Sequence, residues 1–414
     1  MSSLKPVRGA HDILPEESPK YRLVENIAHE IASRYGFKEI STPIFESTEV
    51  FARTLGDTSD IVTKEMYTFN DRGGDSITLR PENTAGVARA LISNGLAQQL
   101  PLKLFYRGPM FRYERPQKGR LRQFHQVGVE LLGVSQVLAD IEVIALGAHF
   151  LKALGVADKT TLELNTLGDG ESRAAYRDKL VEYLKGRKGE LSKESLERLE
   201  RNPLRILDSK DRGDRAVIAE APLIAGSLNL ESRLMFDELR KGLDAAGVAY
   251  AVNPHLVRGL DYYCHAAFEF TTGELGAQGA VLAGGRYDGL IKQMGGPATP
   301  GTGWAAGVER LTMLIGEMAE PRRPIAVVPI GDGQTGQALA LTQQLRQAGL
   351  TIDLGYSGNM EKRMKRANKV NACAAVILGE DELSRNAATV RNMKTGEQVE
   401  VLLPSLPDHL TRYN

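Results

Sequence analysis

The stretch LKLFYRGPMFRYERPQKGRLRQFHQVGVELL, residues 102–132, decides the fold of the first part of the chain. Its two ends, Leu102 to Tyr113 and Phe124 to Leu132, have the apolar pattern of strands. The centre contains Pro116 and Gly119 and cannot be one uninterrupted strand, so two strands joined by a polar loop fit better. Strands that follow one another without regular helical crossovers favour an antiparallel sheet.

Elements of both kinds surround this pair of strands. Alternating and 3.6-residue apolar patterns predict the following strands and helices. The helices cover about Pro19 to Tyr35, Glu82 to Asn94, Asp140 to Leu154 and Ala306 to Met318; the strands include a hairpin over Met66 to Leu79, Thr161 to Asn165, Ala249 through Phe270, and Ala280 to Ala283. Residues 169–246 differ, since they combine helical patterns with dense, balanced charge, which indicates a helical insertion.

The end of the chain has a different organisation. Glu320 to Pro324 reads as a linker, because its prolines block helix continuation. Beyond it, apolar strands alternate with helices in a β-α-β-α-β order, which predicts a small, mostly parallel sheet covered by helices. We therefore expect an α+β domain over residues 1–320, with the insertion at about 169–246, and a separate α/β domain over residues 324–414.

The composition is that of a globular protein. The chain has 414 residues, 42% of them hydrophobic and 25% charged, with a formal net charge of +0. A net charge of zero argues against a nonspecific nucleic-acid binder but does not exclude local basic patches. Two distant cysteines suggest neither a disulfide framework nor a zinc site. With no secretory signal and no membrane-length apolar run, we expect a cytoplasmic protein.

Residues 103–122 form the most basic stretch of the first domain. One acid, Glu114, accompanies seven cations: Lys103, Arg107, Arg112, Arg115, Lys118, Arg120 and Arg122. A flexible cationic loop suits an anion that is bound and released, such as a triphosphate or a nucleic-acid end. The alternative is a solvated basic hairpin tip.

A carboxylate and an amide lie on the strand after this loop. Gln126, Gly128 and Glu130 share one face by the period of two. Glu130 lies among apolar neighbours, where an unpaired carboxylate is costly. It either forms a structural salt bridge or accepts an N–H from a ligand.

The stretch LVRGLDYY, residues 256–263, carries more chemistry than folding requires. A half-buried strand needs only the apolar alternation, so Arg258 and Asp261 are surplus to it. A desolvated arginine is costly unless an anion meets it. The stretch is therefore either a surface ion pair at a strand entrance or a pocket floor where Arg258 meets a phosphate or carboxylate.

Three further motifs are less specific on their own. RPENTA, residues 80–85, is a turn that leads into a helix. If it has no role in ligand binding, Asn83 or Thr84 simply caps that helix. The double glycine of GGRYDG, residues 284–289, permits close approach to a ligand. GTGWAAGVERL, residues 301–311, places Arg310 near a helix start. Residues 301–311 contain neither GxxxxGK[ST] nor GxGxxG, so we expect arginines to bind any phosphate.

Together these motifs resemble the class II aminoacyl-tRNA synthetases and, among them, the histidyl-tRNA synthetase family. The resemblance covers essentially the whole chain. Residues 105–133 are similar to the second class motif, residues 301–311 to the third, and the region around Tyr35 to Phe45 to the weaker first motif at the dimer interface. LVRGLDYY and GGRYDGL resemble the two histidine-specific signatures. Asn83 stands where many members have glycine, beside the expected amino-acid pocket.

The resemblance implies a role for each matching residue. Arg112 would bind the ATP α-phosphate and the histidine carboxylate, Arg258 would supply a cation at the α-phosphate, and Arg310 would bind the γ-phosphate; Arg112 and Arg258 are the implied catalytic residues. The implied histidine site contains Glu82, Thr84 and Gln126 for the α-ammonium, Glu130 and Tyr263 for the imidazole nitrogens, Tyr262 nearby, and Arg112 and Arg258. The implied ATP site contains Arg112, Glu114, Arg120, Arg122 and Arg310. Gln117 and Lys118 on the loop would approach tRNA, and no residue is implied as a metal ligand.

The last domain is similar to the family's anticodon-binding domain. Its basic helix carries Lys362, Arg363, Lys365, Arg366 and Lys369, with Glu361 as the one acid among them. These cations indicate either a phosphate-contacting surface or a solvated helix face.

The resemblance implies ATP-dependent ligation of L-histidine to tRNA(His) through histidyl-adenylate, with Mg²⁺ accompanying ATP and a homodimer as the assembly. The main alternative is a non-catalytic, histidine-sensing paralogue like the regulatory subunit of ATP phosphoribosyltransferase. Arg258, Arg310, the cationic loop and the basic tail favour the enzyme, since a sensor could lose them. A synthetase of another specificity is disfavoured by LVRGLDYY.

Overall fold

A computed structural model describes residues 4–56, 61–276, 279–318, 322–331 and 333–413. The chain forms two compact units, Met1–Gly316 and Glu317–Asn414. Glu320 and Pro321 of the predicted linker lie outside the described residues. Within the described residues, the helices lack the combination of length and apolar character that crossing a membrane requires.

The first unit combines a large sheet with helices and a smaller sheet. Its helices are α1 (Ser18–Arg34), α2 (Thr48–Leu55), α3 (Thr84–Ser93), α4 (Leu138–Ala153), α5 (Gly170–Gly186), α6 (Lys193–Arg201), α7 (Arg212–Ala219), α8 (Leu230–Ala245), α9 (Leu290–Gln293) and α10 (Val308–Leu314). Its strands are β1 (Lys38–Glu39), β2 (Phe45–Ser47), β3 (Tyr67–Asn70), β4 (Ser76–Leu79), β5 (Leu102–Phe111), β6 (Gln123–Leu132), β7 (Thr161–Thr166), β8 (Ala251–Val252), β9 (Cys264–Thr271), β10 (Ala280–Arg286) and β11 (Gly301–Gly307).

The predicted antiparallel sheet is confirmed for the centre of an eight-stranded sheet with the order β1-β5-β6-β11-β10-β9-β7-β8. All internal pairs from β5 to β7 are antiparallel, whereas the short edge strands β1 and β8 pair parallel with their neighbours. The hairpin over 66–79 is also confirmed, as β3 and β4 in a three-stranded sheet with β2.

The alternation along β6 separates two hydrophobic cores. Val127, Val129 and Leu131 point into a core shared with α1, α4, α8 and α10. Leu132 belongs to a second core on the opposite face, which contains Tyr263 and other tyrosines. Because side chains alternate across a strand, Gln126, Gly128 and Glu130 lie on this second face, as predicted.

Two boundaries differ from the sequence predictions. Residues 253–263 form a loop between β8 and β9, because Pro254 and Gly259 interrupt the apolar alternation. The helix predicted over 306–318 is limited to α10, and the small residues before it form β11, whose small side chains fit between neighbouring strands.

Residues 169–246, predicted to form a helical insertion, contain the helices α5 to α8, which do not pack as one body. Helices α5 to α7 enclose a separate core that includes Tyr176 and Leu180. In contrast, Leu239 and Leu243 of α8 are buried in the core of the large sheet. The last helix of the predicted insertion therefore belongs structurally to the sheet domain.

The second unit contains a five-stranded sheet with the order β13-β12-β14-β15-β16. Its elements are β12 (Ile325–Pro329), α11 (Thr335–Gln347), β13 (Ile352–Leu354), α12 (Met360–Lys369), β14 (Ala374–Leu378), α13 (Glu380–Ser384), β15 (Ala387–Asn392), β16 (Gln398–Leu402) and α14 (Leu406–Leu410). Strands β13, β12 and β14 are parallel, and β15 and β16 add an antiparallel hairpin.

Candidate active site

A cavity of about 320 Å³ opens on the tyrosine-rich face of the large sheet. Its wall includes all of the predicted histidine- and ATP-binding residues except Glu130 and Arg122. Those wall residues are Glu82, Thr84, Arg112, Glu114, Arg120, Gln126, Arg258, Tyr262, Tyr263 and Arg310. Residues far apart in sequence thus converge on one concave site, as expected of a ligand pocket.

Two acceptors for an amine lie in the wall of this cavity. The buried carboxylate of Glu82 accepts backbone N–H groups of Thr84 (2.7 Å) and Ala85 (2.9 Å) at the start of α3. Burial raises the pKa of Glu82, while these N–H donors and the charge of Arg112 oppose the rise. The Oε1 atom of Gln126 is buried and has no hydrogen-bond partner among the described residues. It is an acceptor available to a ligand N–H.

Capping of α3 differs from the predicted alternative. Asn83 occupies the cap position but its side chain makes no capping hydrogen bond, and Glu82 supplies the capping acceptor instead. The Oδ1 atom of Asn83 accepts from Thr42 Oγ1 at 2.6 Å and does not line the cavity. The side chain of Asn83, which stands where many members of the family have glycine, therefore points away from the cavity.

Glu130 lies behind the cavity wall. It is 1% exposed, and its carboxylate accepts hydrogen bonds from Thr84 Oγ1 (2.6 Å) and from the hydroxyl of Tyr287. Burial raises the pKa of Glu130 to about 8. A Cβ at Gly303 on the neighbouring strand would collide with this carboxylate, so the glycine makes room for it. Glu130 is within the site's hydrogen-bond network but reaches the cavity through Thr84.

Arg258 lies in the wall of the cavity with its side chain 13% exposed. Its guanidinium donates to Glu269, and its Nε atom is buried without a partner among the described residues. Burial would lower the pKa of Arg258, but the Glu269 carboxylate and Tyr263 reverse the effect, and the pKa is raised. The ion pair considered as the alternative exists, but in the cavity and not at the surface.

The insertion holds the loop that presents Arg258. Arg173 of α5 donates to the carbonyl oxygens of Asp261 and Tyr263, both at 2.9 Å. The carboxylate of Asp261 accepts from the side-chain amide of Asn202 at 2.9 Å. Asp261 is thus a structural residue, and the insertion positions the loop between β8 and β9.

Three arginines line the same cavity. Arg112 donates to the carbonyl of Pro81 at 2.9 Å, Arg120 pairs with Glu114, and Arg310 donates to the carbonyl of Gly119 at 3.0 Å. Burial, followed by the charges of Arg120 and Arg112, lowers the pKa of Arg310 to about 10. Neighbouring guanidinium groups repel one another, and a bound polyanion would relieve this repulsion, so the three arginines form a suitable binding site for a polyanion.

Other residues of the basic loop lie outside the cavity wall. Arg122 stacks over the ring of Tyr113 at 3.7 Å and donates to the carbonyl of Glu114 at 3.1 Å. This placement orders the loop and gives no direct support to the predicted ATP contact of Arg122. Gln117 and Lys118 are exposed at the loop tip.

Sequence reasoning missed two side chains that complete the site. Tyr287 follows the double glycine and binds Glu130, and its ring lies 6.4 Å from that of Tyr263. Glu269 alternates with buried Phe268 and Phe270, so its carboxylate points to the opposite face of β9 and meets Arg258. The alternation of Phe268, Glu269 and Phe270 and the double glycine before Tyr287 are both visible in the sequence, but neither pattern gives the partner.

The basic helix α12 of the second unit is only partly a cationic surface. Lys362, Lys365 and Lys369 are exposed, and Arg366 is paired with Asp353 at 2.8 Å. The prediction for Arg363 is wrong as a surface contact: the residue is 5% exposed, and its guanidinium donates to the carbonyl of Pro329. Arg363 therefore fastens α12 to β12.

Comparisons with known proteins show which family this chain resembles. Residues 9–311 match the family model described as histidyl-tRNA synthetase, and residues 324–412 match an anticodon binding domain. The chain is 62% identical to a histidine–tRNA ligase of Rhodospirillum rubrum over 414 residues, which is 100% of both chains. It is 57% identical to one of Gluconacetobacter diazotrophicus over 99% of both.

A solved structure of this family has a similar fold. The apo crystal structure of the S. aureus histidyl-tRNA synthetase superposes with a TM-score of 0.81 at 37% identity, covering 98% of this chain and 99% of that one. The sequence similarity extends over both units, including the cavity and the second unit's sheet. This chain belongs to the histidyl-tRNA synthetase family.

Proposed function

We propose that this chain is a histidine–tRNA ligase that activates L-histidine with ATP and transfers the histidyl group to tRNA(His). Full-length relatives that carry this name support the reaction, and the regulatory paralogue is not favoured. The observation that carries the proposal is the convergence of amine acceptors and of three arginines on one cavity. A sensor of histidine alone has no use for the three arginines.

The histidine would lie with its α-ammonium between Glu82, Thr84 and Gln126. Its ring would reach Tyr263 and the hydrogen-bond network of Glu130. A site built to hydrogen-bond a polar ring discriminates strongly, because an analogue without those N–H groups leaves buried acceptors unpaired. Tyr262 packs against Tyr263 with ring centroids 4.6 Å apart and limits the volume available to the ring.

The triphosphate would lie along Arg112, Arg120 and Arg310, with Arg258 near the reacting α-phosphate. A carboxylate oxygen of histidine attacks the α-phosphorus, a C(O)–O–P bond forms, and pyrophosphate leaves. A tRNA ribose hydroxyl then attacks the histidyl carbonyl, and AMP leaves. Fixed cations stabilise the charge that develops on the phosphoryl oxygens, which is the main catalytic contribution in such transfers.

Mg²⁺ would enter with ATP and neutralise phosphate charge. The cavity wall carries five carboxylates, and each already has a partner within the protein. Glu82 accepts from backbone N–H groups of α3, and the other pairs are Glu114 with Arg120, Asp208 with Arg205, Glu269 with Arg258 and Glu309 with His125. The donor set therefore does not fit a resident cation held by the protein, and the phosphate oxygens would be its principal ligands. Dimerisation, a cytoplasmic location and tRNA contacts by Gln117 and Lys118 belong to the same proposal.

Pyrophosphate exchange with each of the twenty amino acids tests the activity. We expect ATP–pyrophosphate exchange with histidine above that with every other amino acid. The exchange assay needs no tRNA, so it isolates the first step. Exchange with none of them would contradict the enzyme and favour the sensor.

Glu130→Gln should weaken histidine binding and leave ATP binding little altered. The change keeps the volume but removes the charge that an imidazole N–H and the nearby α-ammonium favour. Burial raises the pKa of Glu130 to about 8, and the positive charge and N–H donors of bound histidine should lower that pKa, so that histidine binding releases a proton. Calorimetry in two buffers of different ionisation enthalpy measures that release.

The control for this prediction is to measure the binding of both histidine and ATP to the Glu130→Gln variant. In Glu130→Gln the proton release should disappear together with the affinity. Equal weakening of histidine and ATP would mean that Glu130 supports the fold and does not read the side chain.

A further inference from the structure

A thiol, an imidazole and a carboxylate meet beside the histidine pocket but outside the proposed chemistry. One ligand atom each from Cys264, His265 and Asp288 lies within 4.8 Å of the others. Cys264 begins β9, and it pairs with Arg286 at the end of β10, two residues before Asp288. None of the three lines the cavity described above.

The backbone at His265 explains how two adjacent side chains come together. Neighbours on a regular strand point to opposite faces. His265 has φ 45°, a left-handed conformation that is uncommon for a residue other than glycine, and the β9–β10 register shifts at the same place. Hydrogen bonds hold it on both sides, from His265 N to the carbonyl of Gly168 (2.8 Å) and from Leu167 N to the carbonyl of His265 (2.7 Å).

The donor atoms are incompletely used within the protein. The Nδ1 atom of His265 is buried and has no hydrogen-bond partner among the described residues, and Cys264 is a free, partly buried thiol. Asp288 Oδ1 accepts from Arg286 (3.1 Å) and from Gly301 N (3.2 Å). The charge of Arg286 is shared with the buried Asp140 at 2.7 Å, so Asp288 is not its principal partner.

We propose that Cys264, His265 and Asp288 bind one thiophilic divalent cation, of the chemistry of Zn²⁺, with water as the fourth ligand. Thiolate, imidazole and carboxylate are all ligands of this ion, and together with water they complete a tetrahedron. Ligand atoms around such an ion lie roughly 3.5 Å apart, so the cluster needs to contract by about 1 Å. Small χ rotations of three partly exposed side chains supply that movement.

The position of this site couples it to the pocket. Cys264 directly follows Tyr263, and Asp288 directly follows Tyr287. A cation between them would join the ends of β9 and β10 just behind the two tyrosines. Binding to the folded state alone also raises the unfolding temperature by mass action.

Titration of the full-length chain with Co²⁺, a spectroscopic substitute for Zn²⁺, tests the site without any turnover. We expect one equivalent to bind, with the intense visible bands of a tetrahedral ion and a near-ultraviolet sulfur-to-cobalt charge-transfer band, and Zn²⁺ to displace it. The absence of the charge-transfer band at one equivalent in the wild-type chain would overturn the proposal.

Matched variants assign the ligands. Cys264→Ser should abolish the charge-transfer band, whereas Cys373→Ser, which removes the other cysteine, should keep it. His265→Asn removes the nitrogen ligand but suits the left-handed backbone, so it should fold and bind Co²⁺ at least tenfold more weakly. A band that survives Cys264→Ser, or an unchanged affinity in His265→Asn, would show that the cation binds elsewhere.

Discussion

Arg258→Ala should slow histidine-dependent pyrophosphate exchange by on the order of 100-fold or more, with a smaller change in histidine affinity. Removing a fixed donor that acts on developing charge typically has an effect of this size. Arg258 lies in the cavity wall with a buried Nε atom that has no described partner, which is the arrangement of a donor waiting for an anion. The exchange rate and the dissociation constant of histidine are the two measurements.

The Glu269 carboxylate makes a second variant necessary. Arg258→Ala leaves this partly buried carboxylate without its partner, and an uncompensated charge that is largely shielded from water destabilises the fold by itself. The double change Arg258→Ala with Glu269→Gln removes the charge as well. Exchange that stays slow in the double variant assigns the defect to the lost cation, and recovery to within a few-fold of wild type would assign it to Glu269.

Arg258→Lys separates charge from geometry. Lysine keeps the positive charge but loses the planar fork, so we expect only partial recovery relative to alanine. An alanine variant that activates histidine at the normal rate would remove Arg258 from the catalytic residues.

The fold was predictable where local pattern and topology agree. Residues 102–132 alternate, are broken by Pro116 and Gly119, and form β5, the loop and β6 in the register Leu102 to Leu132 through Phe111 to Gln123. The tail's alternation of strands and helices was equally clear. The strands β15 and β16 were not predicted there, because runs of only five or six residues offer few positions on which to recognise a periodic pattern.

The site was predictable as a set of residue types but not as a set of contacts. An arginine among apolar residues needs an anion nearby, and this need can be recognised from the sequence alone. That Arg258 meets Glu269, that Arg173 holds the loop, and that Arg363 is buried against Pro329 all depend on tertiary packing. The sequence-based prediction for α12 therefore counted more exposed cations than the structure has, because Arg363 is buried.

Removing the second unit should leave histidine activation intact and greatly reduce charging of tRNA. The two units have separate hydrophobic cores, so a chain that ends at Met318 exposes neither core of the large-sheet unit. Its cavity is built entirely from residues before 311. Exchange and aminoacylation, measured on the same preparation, should therefore diverge.

Neutralising the exposed lysines of α12 in the full-length chain tests which surface is responsible. Lys362→Ala, Lys365→Ala and Lys369→Ala together should weaken tRNA binding and flatten its salt dependence, since each lost phosphate contact reduces the slope of log K against log salt by about 0.7 to 0.9. Arg363 is left unchanged because it is buried. Lys394→Ala, an exposed lysine on the β15–β16 hairpin, is the matched control. Unchanged aminoacylation in both the shortened and the neutralised chain would mean that the first unit alone recognises tRNA, and that the charge of α12 is ordinary solvated surface.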